Sequence, residues 1–297
     1  MTAVTEFSGL KKPVASDQTY LVTVAYDGTD YVGWQWQPNG LSVQQVLEDG
    51  FARITGLKIR LHAAGRTDAG VHALAMPADF TLAYELNPAK LVRAWNAVVP
   101  RDISVIELRQ APLGFSARFM AIRRSYRYLV LNRPRRSPFL MRWCWHFPIK
   151  LDIRAIESAV PVLLGEHDFT SFQAADCEAH HAIRRLDQAA VTELNGEAAN
   201  TIPIFAGAPE EGLMAFSFGG SAFLKHQVRA MVGTLIEVGL GKISPAGFAE
   251  ILRSADRRLA GPTAPAHGLT LTGVEFQNQP LANLNIPALD PGAGGRY

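Results

Sequence analysis

The chain has 297 residues, 48% hydrophobic and 19% charged, enough for one large domain or two smaller ones. Its 29 Lys and Arg against 27 Asp and Glu leave a net charge of +2, which by itself gives no reason to expect a polyanionic partner. No run of about 18 apolar residues is available to span a bilayer, residues 1–16 lack the pattern of a secretory leader, and two cysteines are too few for a disulfide scaffold.

Residues 1–17 are expected to form a tail. Residues 20–26 (YLVTVAY) alternate apolar and polar side chains, as a half-buried strand does, and Asp27-Gly28-Thr29 ends the run. Ser42 then caps a helix with Val43, Val46, Leu47 and Phe51 on one face, and Gly56 stops it. A strand over 58–64 leads into the glycine-punctuated loop 65–70, and a third strand covers 73–80. Asn87-Pro88 opens a helix that stops before Pro100, and a fourth strand covers 103–108. The order is β-α-β-β-α-β, the ferredoxin-like arrangement.

The second half predicts a strand over 123–131 and a helix over 152–164, with Ile153, Ile156, Val160 and Leu163 on one face. Strands over 186–194 and 213–218, a long helix over 222–240 and a short helix from Ser244-Pro245 follow. A strand over 270–276 closes the unit. Residues 278–297, with three prolines and a glycine-rich end, are expected to be a second tail.

The net charge hides a strong segregation. Residues 108–151 carry nine arginines and Lys150 with no Asp or Glu, which leaves a net of −8 for the remainder. Such a segment is either a solvated surface or a phosphate-binding path. Cys177 and His180-His181 lack a second ligand cluster at metal spacing, so no metal is expected. No phosphate-cradling glycine motif is present, so no nucleotide cofactor is expected.

The segment richest in chemistry is AGRTDAGVHA, residues 64–73. Gly65 and Gly70 bracket Asp68, with Arg66 before it and His72 after it. A carboxylate held on such a loop beside an arginine is a nucleophile, or it is an Asx-turn bonding its own backbone. Tyr126 and Tyr128 fall on one face of the predicted strand, where either belongs to the core or presents a ring to a ligand. Arg229 adjoins the apolar stripe Leu224, Val228, Met231 and Leu235. There it either faces solvent or meets a carboxylate, because an unpaired buried charge is costly.

The string GRTDAGVHA over 65–73 resembles the active-site signature of the tRNA pseudouridine synthases of the TruA type. Further blocks are similar in the same order: YDGT at 26–29 with GWQ at 33–35, FSAR at 115–118 with YRY at 126–128, HDF at 167–169, VRAMVG at 228–233 and GPTAPA at 261–266. The resemblance runs from about residue 20 to 276. It implies an α+β fold of two ferredoxin-like (RRM-like) subdomains, 18–115 and 116–277, with a joined, mostly antiparallel sheet and a central cleft. It also implies isomerisation of uridine to pseudouridine in the anticodon arm of tRNA, at positions 38 to 40, by a cytoplasmic homodimer. Neither cofactor nor metal is required, since nothing is oxidised and no group is exchanged. No DNA or membrane partner is implied.

By the same resemblance Asp68 is the catalytic aspartate, whether it attacks C1′, adds to the base or removes a sugar proton. Tyr126 stacks on the target base, Arg229 pairs with Asp68, and Arg66 helps displace the target nucleotide. The cationic segment is expected to line the cleft or its approaches. His72 is expected to be structural, and Ser116 and His226 show no nucleophile–base pairing. Gln227 stands where the family more often has Met, and His180-His181 enlarge a variable loop. Two other readings remain: an RNA-binding protein that keeps the fold without turnover, and a glycosidase, for which the loop offers no second carboxylate.

Overall fold

The structure, a computed structural model, describes residues 9–194 and 212–277. In the N-terminal half, β1 (Lys11–Tyr26), α1 (Val43–Thr55), β2 (His62–Ala63), β3 (His72–Leu86), α2 (Pro88–Asn96) and β4 (Ile103–Ala111) follow the expected order. The turn-forming residues act as read. Ser42 Oγ accepts from Gln45 N at 3.2 Å, Gly56 takes φ +70° at the end of α1, and Asn87 Oδ1 accepts from Lys90 N at 3.1 Å.

Three boundaries differ, the first being that β3 runs on to Leu86 rather than ending at residue 80. β1 begins at Lys11, where Lys11 pairs with Leu86, so residues 11–17 belong to the sheet rather than to a tail. β2 is only two residues long. Side chains of α1 serve the backbone just before it: Gln44 Nε2 donates to Leu61 O at 3.1 Å, and Leu61 N donates to Glu48 Oε1 at 2.9 Å. These bonds replace the strand ladder that 58–64 was expected to make. Residues 278–297 and the start of the first tail lie outside the described residues.

The second half contributes α3 (Ala117–Met120), β5 (Ala121–Asn132), β6 (Trp145–Phe147), α4 (Ile153–Ala159), β7 (Gly165–Asp168), β8 (Ile183–Glu193), β9 (Leu213–Gly220), α5 (Gln227–Gly239), α6 (Pro245–Ser254) and β10 (Leu269–Phe276). The helix expected over 152–164 breaks at Val160 into a 3₁₀ turn that carries Pro161, because proline cannot continue the α-helical ladder. The helix expected from 222 starts only at Gln227, because His226 before it is left-handed at φ +63°.

All ten strands form one sheet, ordered β4-β1-β3-β10-β5-β9-β8-β7, with β2 on β3 and β6 on β5. It is mostly antiparallel. The halves join where β10, from the end of the chain, lies parallel to β3 (Thr270 beside His72, Leu271 beside Ala73) and antiparallel to β5. The joint is therefore far in sequence from residue 115, where the resemblance places the division between subdomains. Helices α1, α2 and α4–α6 cover one face of the sheet over the two main cores, and α3 packs beside Leu21 on the other. Phe51, Phe80 and Trp95 meet in the first, the Phe51 and Trp95 centroids 5.1 Å apart. Tyr128, Phe216 and Phe218 meet α5 in the second. Each such aromatic contributes roughly 1.5–3 kcal/mol by burial. Tyr126 packs against both cores, so it marks the seam between them.

Candidate active site

A cleft of about 1520 Å³ opens over that seam. Asp68, Tyr126 and Arg66 line it, and Arg229 stands behind Asp68. The loop that carries Asp68 is held from several directions. Val71 N donates to Asp68 O at 3.1 Å, which closes the turn, and Gly70 takes φ +77°, a conformation that resists a side chain. Gly65, the other bracketing glycine, is not left-handed. Its missing Cβ instead leaves room beside the Tyr126 hydroxyl, which such a Cβ would approach to 4.0 Å. Trp34 N donates to Thr67 O at 3.1 Å, and the Tyr26 hydroxyl is 2.8 Å from Thr67 Oγ1. The first block, around residues 26–35, thus serves as the cradle of the loop.

Arg229, on the first turns of α5, reaches Asp68 Oδ2 with Nη1 at 3.2 Å. Its Nε donates to Ala264 O at 2.8 Å, and Ala264 N donates back to Arg229 O at 3.0 Å. The GPTAPA block is therefore a strap that aims Arg229. The arginine is 15% exposed and the aspartate 24%, so the pair is shielded but reachable. Among the described residues Asp68 Oδ1 makes no hydrogen bond. One carboxylate oxygen is held and the other is left for a ligand. Arg66 is exposed on the cleft wall and makes no ion pair among the described residues, so the arginine beside Asp68 in space is not its sequence neighbour.

The Tyr126 ring stands edge-on to Phe223, with centroids 5.0 Å apart at 79°. Burial, reinforced by the negative charge of Asp68, pushes its hydroxyl up to about 12, so the phenol stays protonated and neutral. Tyr128 points into the C-terminal core with its hydroxyl on Pro265 O at 2.7 Å, whereas Tyr126 lines the cleft.

His226 was invisible in sequence. Its Nε2 lies 3.5 Å from the same Asp68 Oδ2. A left-handed non-glycine residue beside a carboxylate in a cleft is strained in the way functional sites tolerate. The buried Gln227 supports this turn by accepting from Leu224 N at 2.8 Å, a bond that Met could not make. Burial lowers the pKa of His226, with Asp68 and Asp176 opposing and Arg229 and Lys225 assisting, so the ring is neutral at pH 7. Only its unusual φ would have exposed it, and φ is set by the packing of the 222–226 loop.

His72 is buried and structural. Nδ1 accepts from Gly28 N and Nε2 meets His267 O, each at 3.0 Å, so it joins the loop to the C-terminal half. Burial lowers its pKa, in keeping with a neutral ring.

The cationic segment is not one RNA track. Arg124 spends its guanidinium on the carbonyls of Ala64, Arg118, Ala121 and Ser221, and so clamps β5 to the start of the Asp68 loop. Arg123 pairs with Asp187 and Glu275, and Arg142 with Asp27 and Asp30. Arg109 and Arg127 are partly buried on the face of the sheet opposite Tyr126. Of that segment only Arg118 and Arg124 line the cleft, where Arg60, Arg66 and Lys225 join them from elsewhere. Local composition could not separate arginines that bind carbonyls from those left for a ligand.

No helix among the described residues is long and apolar enough to cross a membrane. The chain matches the model of the family described as tRNA pseudouridine synthase over residues 22–120 and 159–277. It is 41% identical over 271 residues to "tRNA pseudouridine synthase A" of Myxococcus xanthus, covering 91% of this chain and 94% of that protein. To the proteins of the same name from Methylobacterium nodulans and Beijerinckia indica it is 43% identical over 270 residues and 44% over 264, covering 90% and 88% of this chain and 98% and 94% of theirs. With that coverage, the chain belongs to the tRNA pseudouridine synthase family, isomerases that convert uridine to pseudouridine in tRNA.

Proposed function

We propose that the chain acts on uridines 38, 39 and 40 in the anticodon stem-loop, with Asp68 as the reacting carboxylate. One observation carries the assignment to Asp68: Oδ2 is held by Arg229 while Oδ1, in the cleft beside Tyr126, has no hydrogen bond among the described residues. Attack on C1′, addition to the base and removal of a sugar proton all need such a free, ionised oxygen. In the isomerisation the N1–C1′ bond breaks, a C5–C1′ bond forms, and the proton lost from C5 is balanced by one gained at N1. No electron or group enters or leaves.

The target must leave its stack, which costs a few kcal/mol, and an aromatic platform such as Tyr126 returns about 1–3 kcal/mol. Arg66, exposed at the lip, would hold the position the nucleotide vacates. The resemblance to the TruA type supports a homodimer in which one tRNA touches both subunits. It also supports a cytoplasmic location, with which a sequence of only two cysteines agrees.

Incubation of the chain with an unmodified tRNA transcript tests the reading. The expected product is carbodiimide-reactive pseudouridine at positions 38–40, with no free uracil. Free uracil would indicate a glycosidase, and tight binding without product would indicate a binding protein.

His226 adds a pH dependence. Acidification below its ordinary value of 6.5 would place an imidazolium against Asp68 Oδ2, in competition with Arg229. Turnover is therefore expected to fall on the acid side. In His226→Asn, which tolerates a left-handed φ, that limb should move to lower pH. Coincident kcat–pH profiles for the two proteins would exclude His226 from the titration.

A further inference from the structure

The two walls of the cleft differ in character. The C-terminal wall carries Asp176, Glu178 and Lys225, and the charge of Lys225 is already met by Asp176 at 2.6 Å. Apart from Asp68 itself, the N-terminal wall carries no carboxylate among the described residues that line it. It presents Gln35, Trp36 and Asn39 beside Arg60, with Arg118 from α3, whose contacts are with β2 and β3. Glu48, just behind this wall, is occupied by Arg60 at 3.2 Å, by Gln44 and by Leu61 N.

Trp36 is 47% exposed on this wall. It packs in neither core, and nothing in the site described above uses it. Its backbone is nevertheless fixed. Trp36 N donates to Gln44 Oε1 at 2.9 Å, and Gln44, 5% exposed, is itself anchored by Nε2 to Glu48 and Leu61. The next residue is also pinned, Gln37 Nε2 donating to Val32 O at 2.7 Å. A large indole left open in a concave site, on a braced loop, is a preformed apolar surface waiting for a flat partner. An indole does not bind phosphate, and its neighbours are amides that match base edges and arginines that match phosphates.

We propose that Trp36 is a stacking platform for an unpaired nucleobase adjoining the flipped uridine, and that the RNA strand runs along the N-terminal wall past Arg60 and Arg118 rather than along the acidic C-terminal wall. This rests on the reading of the cleft as the tRNA site. It deepens that reading by giving the strand a direction and a second base contact that is independent of Tyr126.

The test is equilibrium binding of the full chain to an unmodified tRNA transcript across a salt series, for the wild type, Trp36→Ala, Trp36→Phe and Arg60→Gln. Loss of a stacking platform weakens binding without changing the number of neutralised phosphates. Trp36→Ala is expected to bind roughly tenfold more weakly, with an unchanged slope of log affinity against log salt. Trp36→Phe should recover most of the affinity, and Arg60→Gln should reduce the slope by about one unit. Wild-type affinity in Trp36→Ala, a fall in its slope, or equal weakness in Trp36→Phe would each overturn the platform. A normal slope in Arg60→Gln would overturn the path along that wall. Pseudouridine formation by the wild type is scored in the same samples. If it is absent while Trp36→Ala still weakens binding, the catalytic reading fails and the platform stands. If it is present while Trp36→Ala binds normally, the reverse holds.

Discussion

Asp68→Asn is expected to abolish pseudouridine formation, by about 10⁴-fold or more, while tRNA binding stays within a few-fold of wild type. The substitution is nearly isosteric and removes only the charge and the reactive oxygen. Arg229 keeps its bond to Ala264 O at 2.8 Å, so it remains aimed at the same place. Both members of the Asp68–Arg229 pair retain some contact with solvent, and the loss of stability should stay near 1 kcal/mol. A thermal melt and a binding isotherm therefore separate chemistry from folding. Turnover in the variant would remove Asp68 from the mechanism and leave the carboxylate as an Asx-turn residue.

Gly233→Ala is expected to be the most damaging change outside the cleft. Gly233 lies inside α5, one turn beyond Arg229, where the 261–264 strap crosses the helix. A Cβ there would sit 1.7 Å from Pro262 O and 2.9 Å from Pro262 C. Both are backbone atoms, so no side-chain rotation relieves the clash. The strap must lift, and it holds Arg229 through Ala264 and accepts the Tyr128 hydroxyl at Pro265 O. Overpacking of this kind costs about 1–3 kcal/mol in stability. The loss of activity should be larger, on the order of 10²-fold, because Arg229 loses its aim while Asp68 itself is untouched. Thermal stability and kcat of purified protein check both parts. A variant with normal kcat would show that the strap does not position Arg229.

These two residues also show how unevenly the site was legible. Asp68 stands out in the sequence because a carboxylate between two glycines is a local pattern. Gly233 and the GPTAPA block are equally recognisable as strings, yet no local argument assigns them a task. Their role is a contact between a helix and a loop about 30 residues apart. His226 was passed over for a related reason, since a histidine at the start of a helix is ordinary until its φ and its neighbours are known. Arg66 is the arginine nearest Asp68 in the chain, yet the one that reaches its carboxylate is Arg229, at 3.2 Å, because successive residues on a tight loop point in different directions.

The charge distribution was legible as a count and misleading as a map. The arginines of residues 108–151 are there, but several bind carbonyls or carboxylates of the same chain. An arginine has five donors in a fixed fork, and which acceptors it finds depends on what the fold brings near.

Apolar periodicity and turn residues determined the order of elements in the N-terminal half, the caps of α1 and α2, and the short helix after Ser244. These follow from backbone sterics and from bonds between residues only a few positions apart. Only the tertiary structure decided that β10 inserts between β3 and β5, that Tyr126 lies at the seam of two cores, and that Arg229 and His226 converge on one oxygen of Asp68. Each of these depends on contacts between residues distant in the chain, whose energy comes from burial and hydrogen bonding that exist only once both halves have packed.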